Sequence, residues 1–209
     1  MYVEKMRFPG IFALVLVLLM GCAPKVKTGV PEPAKIDLSP YRKVSVVDFQ
    51  GDVDDWGTRV ALVLAEELGR AKVSGKPCFT VLSRSKLVAA LRDQGLHLPD
   101  LLEPENCREV GKLLGLDAIF TGTVETARTQ EFILPGRMLY AMRTAQVEFT
   151  VRVISTHTGE VVFSETRTGE KKQEAFGAVE LTELTYHDEP LTSCVRETIQ
   201  EFTRTLLPA

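Results

Sequence analysis

Asp48, Asp52, Asp54 and Asp55 form the densest carboxylate cluster in the chain, and carboxylates this close could hold a cation. A calcium loop needs ligands at alternating positions, a central glycine and a closing glutamate. Here Gly57 comes late and no glutamate follows at the right distance, so Asp55 reads as an acid favouring the positive end of the helix after it. Gly69 to Lys76 imitates a phosphate loop. Its glycines are one residue too far apart, and Pro77 stands where a Ser or Thr should meet magnesium. It also follows a helical pattern, whereas a phosphate loop follows a strand, so it reads as a helix stop and turn. His97, His157 and His187 are isolated in apparent loops. No G-x-S-x-G elbow and no H-E-x-x-H pair is present. Glu103 and Glu105 flank Pro104 as first-turn acids, and Gly111 to Gly115 reads as a close-packed helix end. The expectation is a protein that is not an enzyme and has no metal and no cofactor.

The cysteines carry the one specific signal. Leu19-Met20-Gly21-Cys22 closes a segment with Lys5 and Arg7 at its start and an unbroken apolar run from Ile11 to Met20. A secretory signal has this layout but needs no cysteine. A membrane span needs about 20 apolar residues, and this run has roughly half of that. The tetrapeptide resembles a bacterial lipobox, which implies that Cys22 is alkylated on sulfur by a diacylglyceryl group and becomes an acylated N-terminus. Several acyl chains would then hold the mature chain stably on a membrane. Ala23 follows, not the Asp that resembles an inner-membrane retention signal, so the lipobox resemblance implies the outer membrane. Cys78, Cys107 and Cys194 remain, widely spaced and odd in number. Buried free thiols are the expectation, and one disulfide of undetermined pairing is the alternative.

Taking away residues 1–22 leaves 187 of 209. Loss of Lys5, Arg7 and Glu4 leaves 23 basic and 27 acidic side chains, a net charge of −4 against −3 for the whole chain. No basic footprint exists for nucleic acid and no polybasic membrane patch, so the lipid must do the anchoring. Residues 23–40 hold Pro24, Pro31, Pro33 and Pro40 and few large apolar side chains. They read as a flexible tether reaching about 60 Å when extended. Residues 41–209 suit one domain.

The elements of that domain follow from periodicity. Lys43–Phe49 reads as a strand. Thr58–Val73 reads as a helix burying Val60, Val63, Leu64 and Leu68. Phe79–Leu82 is a short strand. A helix over Ser85–Gln94, capped by Ser83, turns Leu87, Val88 and Leu91 inward. Pro104–Leu114 is a helix with Val110, Leu113 and Leu114 inward. Asp117–Val124 is a strand, and a long hairpin follows, its arms about Val124–Leu134 and Met138–Ser155 around Pro135-Gly136. In its second arm Ala145, Val147, Phe149, Val151 and Val153 alternate with polar residues, so one face packs and the other meets water. Val161–Thr168 is the closing strand. Gly169–Pro190 is polar and shows no clear period. Leu191–Leu207 is a helix. The whole is an α/β fold: a single domain, a mixed β-sheet with helices packed on it, preceded by a lipoprotein signal and a short Pro-rich tether. Trp56, the single tryptophan, reads either as a staple on the first helix or as an exposed partner anchor. Arg137 and Tyr140, at the hairpin turn, are further candidate contacts.

Several segments together carry a resemblance. They are Lys43-Val-Ser-Val-Val-Asp-Phe, Phe79 to Leu91, Val110-Gly-Lys-Leu-Leu-Gly-Leu-Asp-Ala-Ile-Phe-Thr-Gly-Thr-Val, and Thr158-Gly159-Glu160 before a strand. In this order behind a lipobox, they resemble the curli-secretion lipoprotein family (CsgG-like) and the related penicillin-binding-protein activator lipoproteins (LpoB-like). The resemblance implies a periplasmic α/β domain on the outer membrane that binds other proteins and does no chemistry. The activator branch implies a peptidoglycan synthase as partner. The secretion branch implies a homo-oligomeric ring whose added hairpins build a transmembrane barrel. A flagellar or envelope assembly factor is a third option.

Overall fold

The computed structural model describes Leu38 and residues 40–51, 53–134, 138–178 and 190–207. The signal segment, Cys22, nearly all of the tether and Arg137 lie outside the described residues. β1 (Lys43–Val46) leads to α1 (Trp56–Arg70), a small hairpin β2 (Lys72–Val73) and β3 (Lys76–Pro77), then β4 (Thr80–Leu82) and α2 (Arg84–Asp93). A 3-10 turn (Leu98–Leu102) precedes α3 (Pro104–Leu114). Three long strands follow, β5 (Ala118–Leu134), β6 (Met138–Ser155) and β7 (Val161–Ala178), and α4 (Pro190–Thr205) is the last of the described elements.

The main sheet has the order β4-β1-β5-β6-β7. β1 runs parallel to both neighbours, and the last three strands are antiparallel. The Asp117 carboxylate fixes where β1 begins, accepting the Arg42 and Lys43 backbone N–H groups at 2.9 and 2.7 Å. Lys43 Nζ donates to the Leu114 carbonyl at 2.5 Å, at the end of α3. Gly115, at φ 60°, makes the left-handed stop that the helix needs there.

Two helical layers cover the sheet unequally. α1 and α4 bury Val60, Leu64, Leu68, Ile199 and Phe202 against Val44, Phe120, Phe149, Val151 and Val153. On the opposite face, α2, the 3-10 turn and α3 bury Leu87, Leu91, Leu101, Cys107 and Val110 against Val47, Ile119 and Ile154. This second layer meets the sheet only at its base. Each of its helices therefore buries one narrow stripe, and two expected core residues fall outside it. Val88 is 37 % exposed and Leu113 55 % exposed.

Other expectations are corrected at element ends. α1 stops at Arg70, not Val73, because Ser74 and Gly75 (φ 51° and 78°) form a tight two-residue turn that folds β2 onto β3. Ser83 makes no side-chain cap; its carbonyl starts α2, while its hydroxyl faces that of Ser85 at 3.2 Å. The strand expected at Asp117–Val124 and the first hairpin arm are one strand. A register shift between Val124 and Thr126 leaves Glu125 as a bulge within it. β7 continues past Thr168 to Ala178 and pairs with β6 almost throughout.

Gly122 sits where β5 crosses the core. A Cβ there would lie 2.7 Å from the Phe49 ring and within bonding distance of the Thr150 carbonyl oxygen. Phe49 in turn meets Phe149 edge to face, with ring centres 6.4 Å apart. Gly122→Val should lower stability in urea unfolding by about 3 kcal/mol, the upper range for overpacking a core. An unchanged midpoint would show that the strands can part there without cost.

Candidate interaction surface

β5, β6 and β7 continue past the helices that cover their base and form a three-stranded ribbon. Side-chain alternation sends one set of residues toward α1 and α4 and the other toward water. The open side is built in cross-strand rows. Thr123, Thr150 and Thr166 share one row, Thr126, Glu148 and Thr168 the next, and Arg128, Gln146 and Glu170 the third.

Two of these rows are hydrogen-bonded across the strands, Thr150 to Thr166 at 2.8 Å in the first and all three residues in the third. Arg128 Nε and Nη2 both donate to Gln146 Oε1, at 3.1 and 2.8 Å, and Gln146 Nε2 donates to Glu170 Oε2 at 3.1 Å. Lys172 pairs with Glu170 at 3.0 Å. The Lys172 ammonium, and after it the Gln146 amide, holds the Glu170 carboxyl below the usual carboxylate range. The bulged Glu125 accepts from the Thr123 and Thr150 hydroxyls at 2.6 and 2.9 Å. Thr126, Arg128, Gln146, Glu148, Thr168 and Glu170 line a shallow groove of about 410 Å³. It offers one guanidinium and two carboxylates in fixed positions, which suits an oppositely patterned polar surface.

The ribbon changes character at its end. Arg143 Nε pairs with Glu131 at 3.0 Å, and in the next two rows Phe132 and Ile133 are 51 % and 49 % exposed. Tyr140, a contact candidate from the sequence, lies in this region. Partial desolvation, with a hydrogen bond to Glu174 as the second cause, raises its hydroxyl pKa. Trp56 is placed differently: it is 7 % exposed in the core, with the Arg59 guanidinium 4.9 Å above its ring. Packing, not free contact area, is what this tryptophan supplies within the domain. Arg137 lies outside the described residues. The sequence reading did not find the groove, because its residues reveal themselves as rows only once strand register is known.

Among the described residues, those with chemical potential do not converge. Asp48 is engaged by Arg84 through two bonds of 2.8 and 2.5 Å, and Asp55 by Arg59 at 2.9 Å. Among the described residues no three His, Cys, Asp or Glu side chains could share a metal ion. Cys78, Cys107 and Cys194 are free thiols, Cys107 and Cys194 buried. Burial pushes the Cys107 thiol up to about 11 against a weaker opposing pull from Arg108, and burial likewise raises Cys194.

Fold and surface define a mixed α/β domain whose sheet has helices on both faces at its base and, beyond that base, an open polar side. Residues 41–209 match the family model described as curli production assembly/transport component CsgG. The chain belongs to that family, whose members are assembly and transport components of the cell envelope. No curated protein sequence matches it. Among solved structures, a PelC dodecamer from Paraburkholderia phytofirmans is 17 % identical with a TM-score of 0.46, covering 82 % of this chain and 91 % of that one. Lipoprotein GNA1162 from Neisseria meningitidis is 18 % identical with a TM-score of 0.45, covering 63 % and 84 %. The LpoB C-terminal domain from Salmonella enterica is 14 % identical with a TM-score of 0.42, covering 62 % and 83 %.

The thiols give a test. A thiol whose pKa is raised on folding contributes stability below its unfolded value, here near 9.0, and loses it as pH climbs toward about 11. Unfolding midpoints should therefore fall with rising pH across that window, and less steeply in Cys107→Ala. In the native protein at neutral pH, a thiol reagent should modify Cys78 before Cys107 or Cys194. Rapid labelling of Cys107 would contradict its burial.

Proposed function

We propose that this chain is a non-enzymatic lipoprotein of the outer membrane, facing the periplasm, whose domain works by binding another envelope protein. One observation carries the reading: the CsgG family model spans residues 41–209, the segment expected to fold as the domain behind Leu19-Met20-Gly21-Cys22 and its tether. Cys22 supplies the lipid, residues 23–40 the reach, and the folded domain the contact. The open groove on the ribbon supports a polar, charge-patterned interface in which the existing hydrogen bonds hold the donors and acceptors ready. A peptidoglycan synthase is the candidate partner that the activator-type resemblance names.

A second reading is an oligomeric subunit of an export channel, which the family's transport description favours. Ring particles in detergent with conductance in planar bilayers would support it. A monomer without conductance would remove it.

Two measurements test the first reading. Cys22→Ala should move the protein from the membrane fraction to the soluble periplasmic fraction; a variant that still pellets like the parent would end the anchoring argument. Affinity capture of the acylated protein from membranes should recover an envelope partner. Arg128→Glu combined with Glu148→Lys reverses the groove's charges and should cut that recovery at least about tenfold, equivalent to about 1.4 kcal/mol. The thermal midpoint should change little, since both positions face water. Equal recovery would move the interface off the groove, and recovery of no partner would count against binding as the function.

A further inference from the structure

Two opposite charges stand within reach of each other on the open side of the ribbon and do not pair. Arg128 on β5 faces Gln146 on β6, and the row beside it sets Thr126 against Glu148. Arg128 and Glu148 are therefore diagonal neighbours, about 7–8 Å apart at their Cα atoms, a separation that long side chains bridge. Glu148 is half-buried in the groove and takes part in no hydrogen bond or ion pair among the described residues. Arg128 is turned the other way, with Nε and Nη2 both donating to Gln146 Oε1 at 3.1 and 2.8 Å. Gln146 is fixed in that sense by Glu170, which accepts from its Nε2 at 3.1 Å, and Glu170 is held by Lys172 at 3.0 Å. A neutral amide thus keeps the guanidinium off Glu148, and among the described residues the Arg128 charge has no counter-ion of its own.

We propose that Arg128 and Glu148 form a binding site for a ligand with a carboxylate and an ammonium group on one carbon, the α-amino carboxylate end of an amino acid. A guanidinium presents its N–H donors in a fixed fork. Gln146 occupies the side of the fork made by Nε and Nη2. The end made by Nη1 and Nη2 remains, and that edge takes a carboxylate through a pair of parallel bonds. Glu148 accepts from the ammonium. Thr126 and Thr168 flank Glu148 in its row, and their hydroxyls are placed to accept from the remaining ammonium N–H groups. The inference goes beyond the partner reading above and does not rest on it. The same chemical group is offered by a free amino acid and by the uncoupled end of a diamino acid in a cell-wall peptide.

The unpaired charges set the specificity. A ligand with only the carboxylate gains from Arg128 but meets the like charge of Glu148. One with only the ammonium gains from Glu148 but meets the like charge of Arg128. A ligand bearing both gains at each end, and like-charge contacts exclude the others. Arg128 is exposed, so the site is sensitive to salt. A Kd on the order of 1 mM suits a ligand this small.

The test uses the full-length acylated protein in dodecyl maltoside micelles and ligand-observed saturation-transfer NMR. The probes are alanine, its two halves propionate and ethylamine, and muropeptides with an uncoupled diaminopimelate, before and after N-acetylation of its amine. Alanine or the untreated muropeptide should bind at least about tenfold more tightly than propionate, ethylamine or the acetylated muropeptide. Binding of alanine alone would assign the site to free amino acids, binding of the muropeptide alone to the wall, and binding of both to the shared group. Arg128→Gln and Glu148→Gln should each weaken that binding at least about tenfold, with little change in thermal midpoint. Gln146→Glu keeps both contact residues but gives Arg128 a direct counter-ion, and it should weaken binding as well. Propionate binding as tightly as alanine would reduce the groove to a plain anion site and overturn the proposal. Binding that survives Arg128→Gln and Glu148→Gln would place the ligand elsewhere and overturn it too. So would the absence of binding by alanine and muropeptide alike at about 10 mM, well above the expected Kd.

Discussion

The unequal reach of the two helical layers governs the rest of this structure. A sheet buried on both faces needs near-continuous apolar strands, whereas one covered on a single face needs alternation. β1 and the start of β5 lie between both layers, and Val44, Val46, Val47, Ile119 and Phe120 are buried accordingly. Farther along, only α1 and α4 remain. Val147, Phe149, Val151 and Val153 fill their side, and threonines, glutamines and charged residues take the other. The open face is thus a direct consequence of where the second layer ends.

A three-stranded ribbon with one open face still has to be held rigid. Cross-strand pairs supply part of this, through the Thr150–Thr166 and Arg128–Gln146–Glu170 bonds. α4 supplies the rest by fastening β7 from the covered side. Lys171 Nζ reaches Ser193 and Glu197 at 2.6 and 2.5 Å, and Arg167 donates to Thr205 at 3.1 Å while lying over the Phe202 ring. α4 is itself tied to α1 by Arg196 on Glu66 and Glu67. A face held this way presents fixed donors and acceptors. That suits recognition, the kind of work expected of a family of assembly and transport components.

Much of this was legible in the sequence, for identifiable reasons. α1 and α4 each carry a long apolar stripe at helical spacing, and the β6 alternation over 145–153 could be read residue by residue. The fold class followed from these. Val88 and Leu113 were misplaced because helical spacing gives the width of an apolar stripe but not how much of it a neighbour covers. The second half of β7 was illegible because a strand with water on one side and charged helix residues on the other has no apolar period. The groove was hidden for a different reason: Arg128, Gln146 and Glu170 are far apart in sequence, and only register unites them. Trp56 shows the limit of composition. Its type allowed both a packed staple and a partner contact, and its burial is that of a core residue.

The bulge at Glu125 has a consequence for how this domain can vary. It sets the parity of every later residue in β5, so losing or gaining one residue directly after it would transpose Arg128 and Phe132 to the opposite side of the strand. Changes at the turn itself leave the rows beneath in place. Length polymorphism in such a chain is therefore tolerable only at the far end of the ribbon. The far end of the ribbon can be retailored while the scaffold behind it stays frozen.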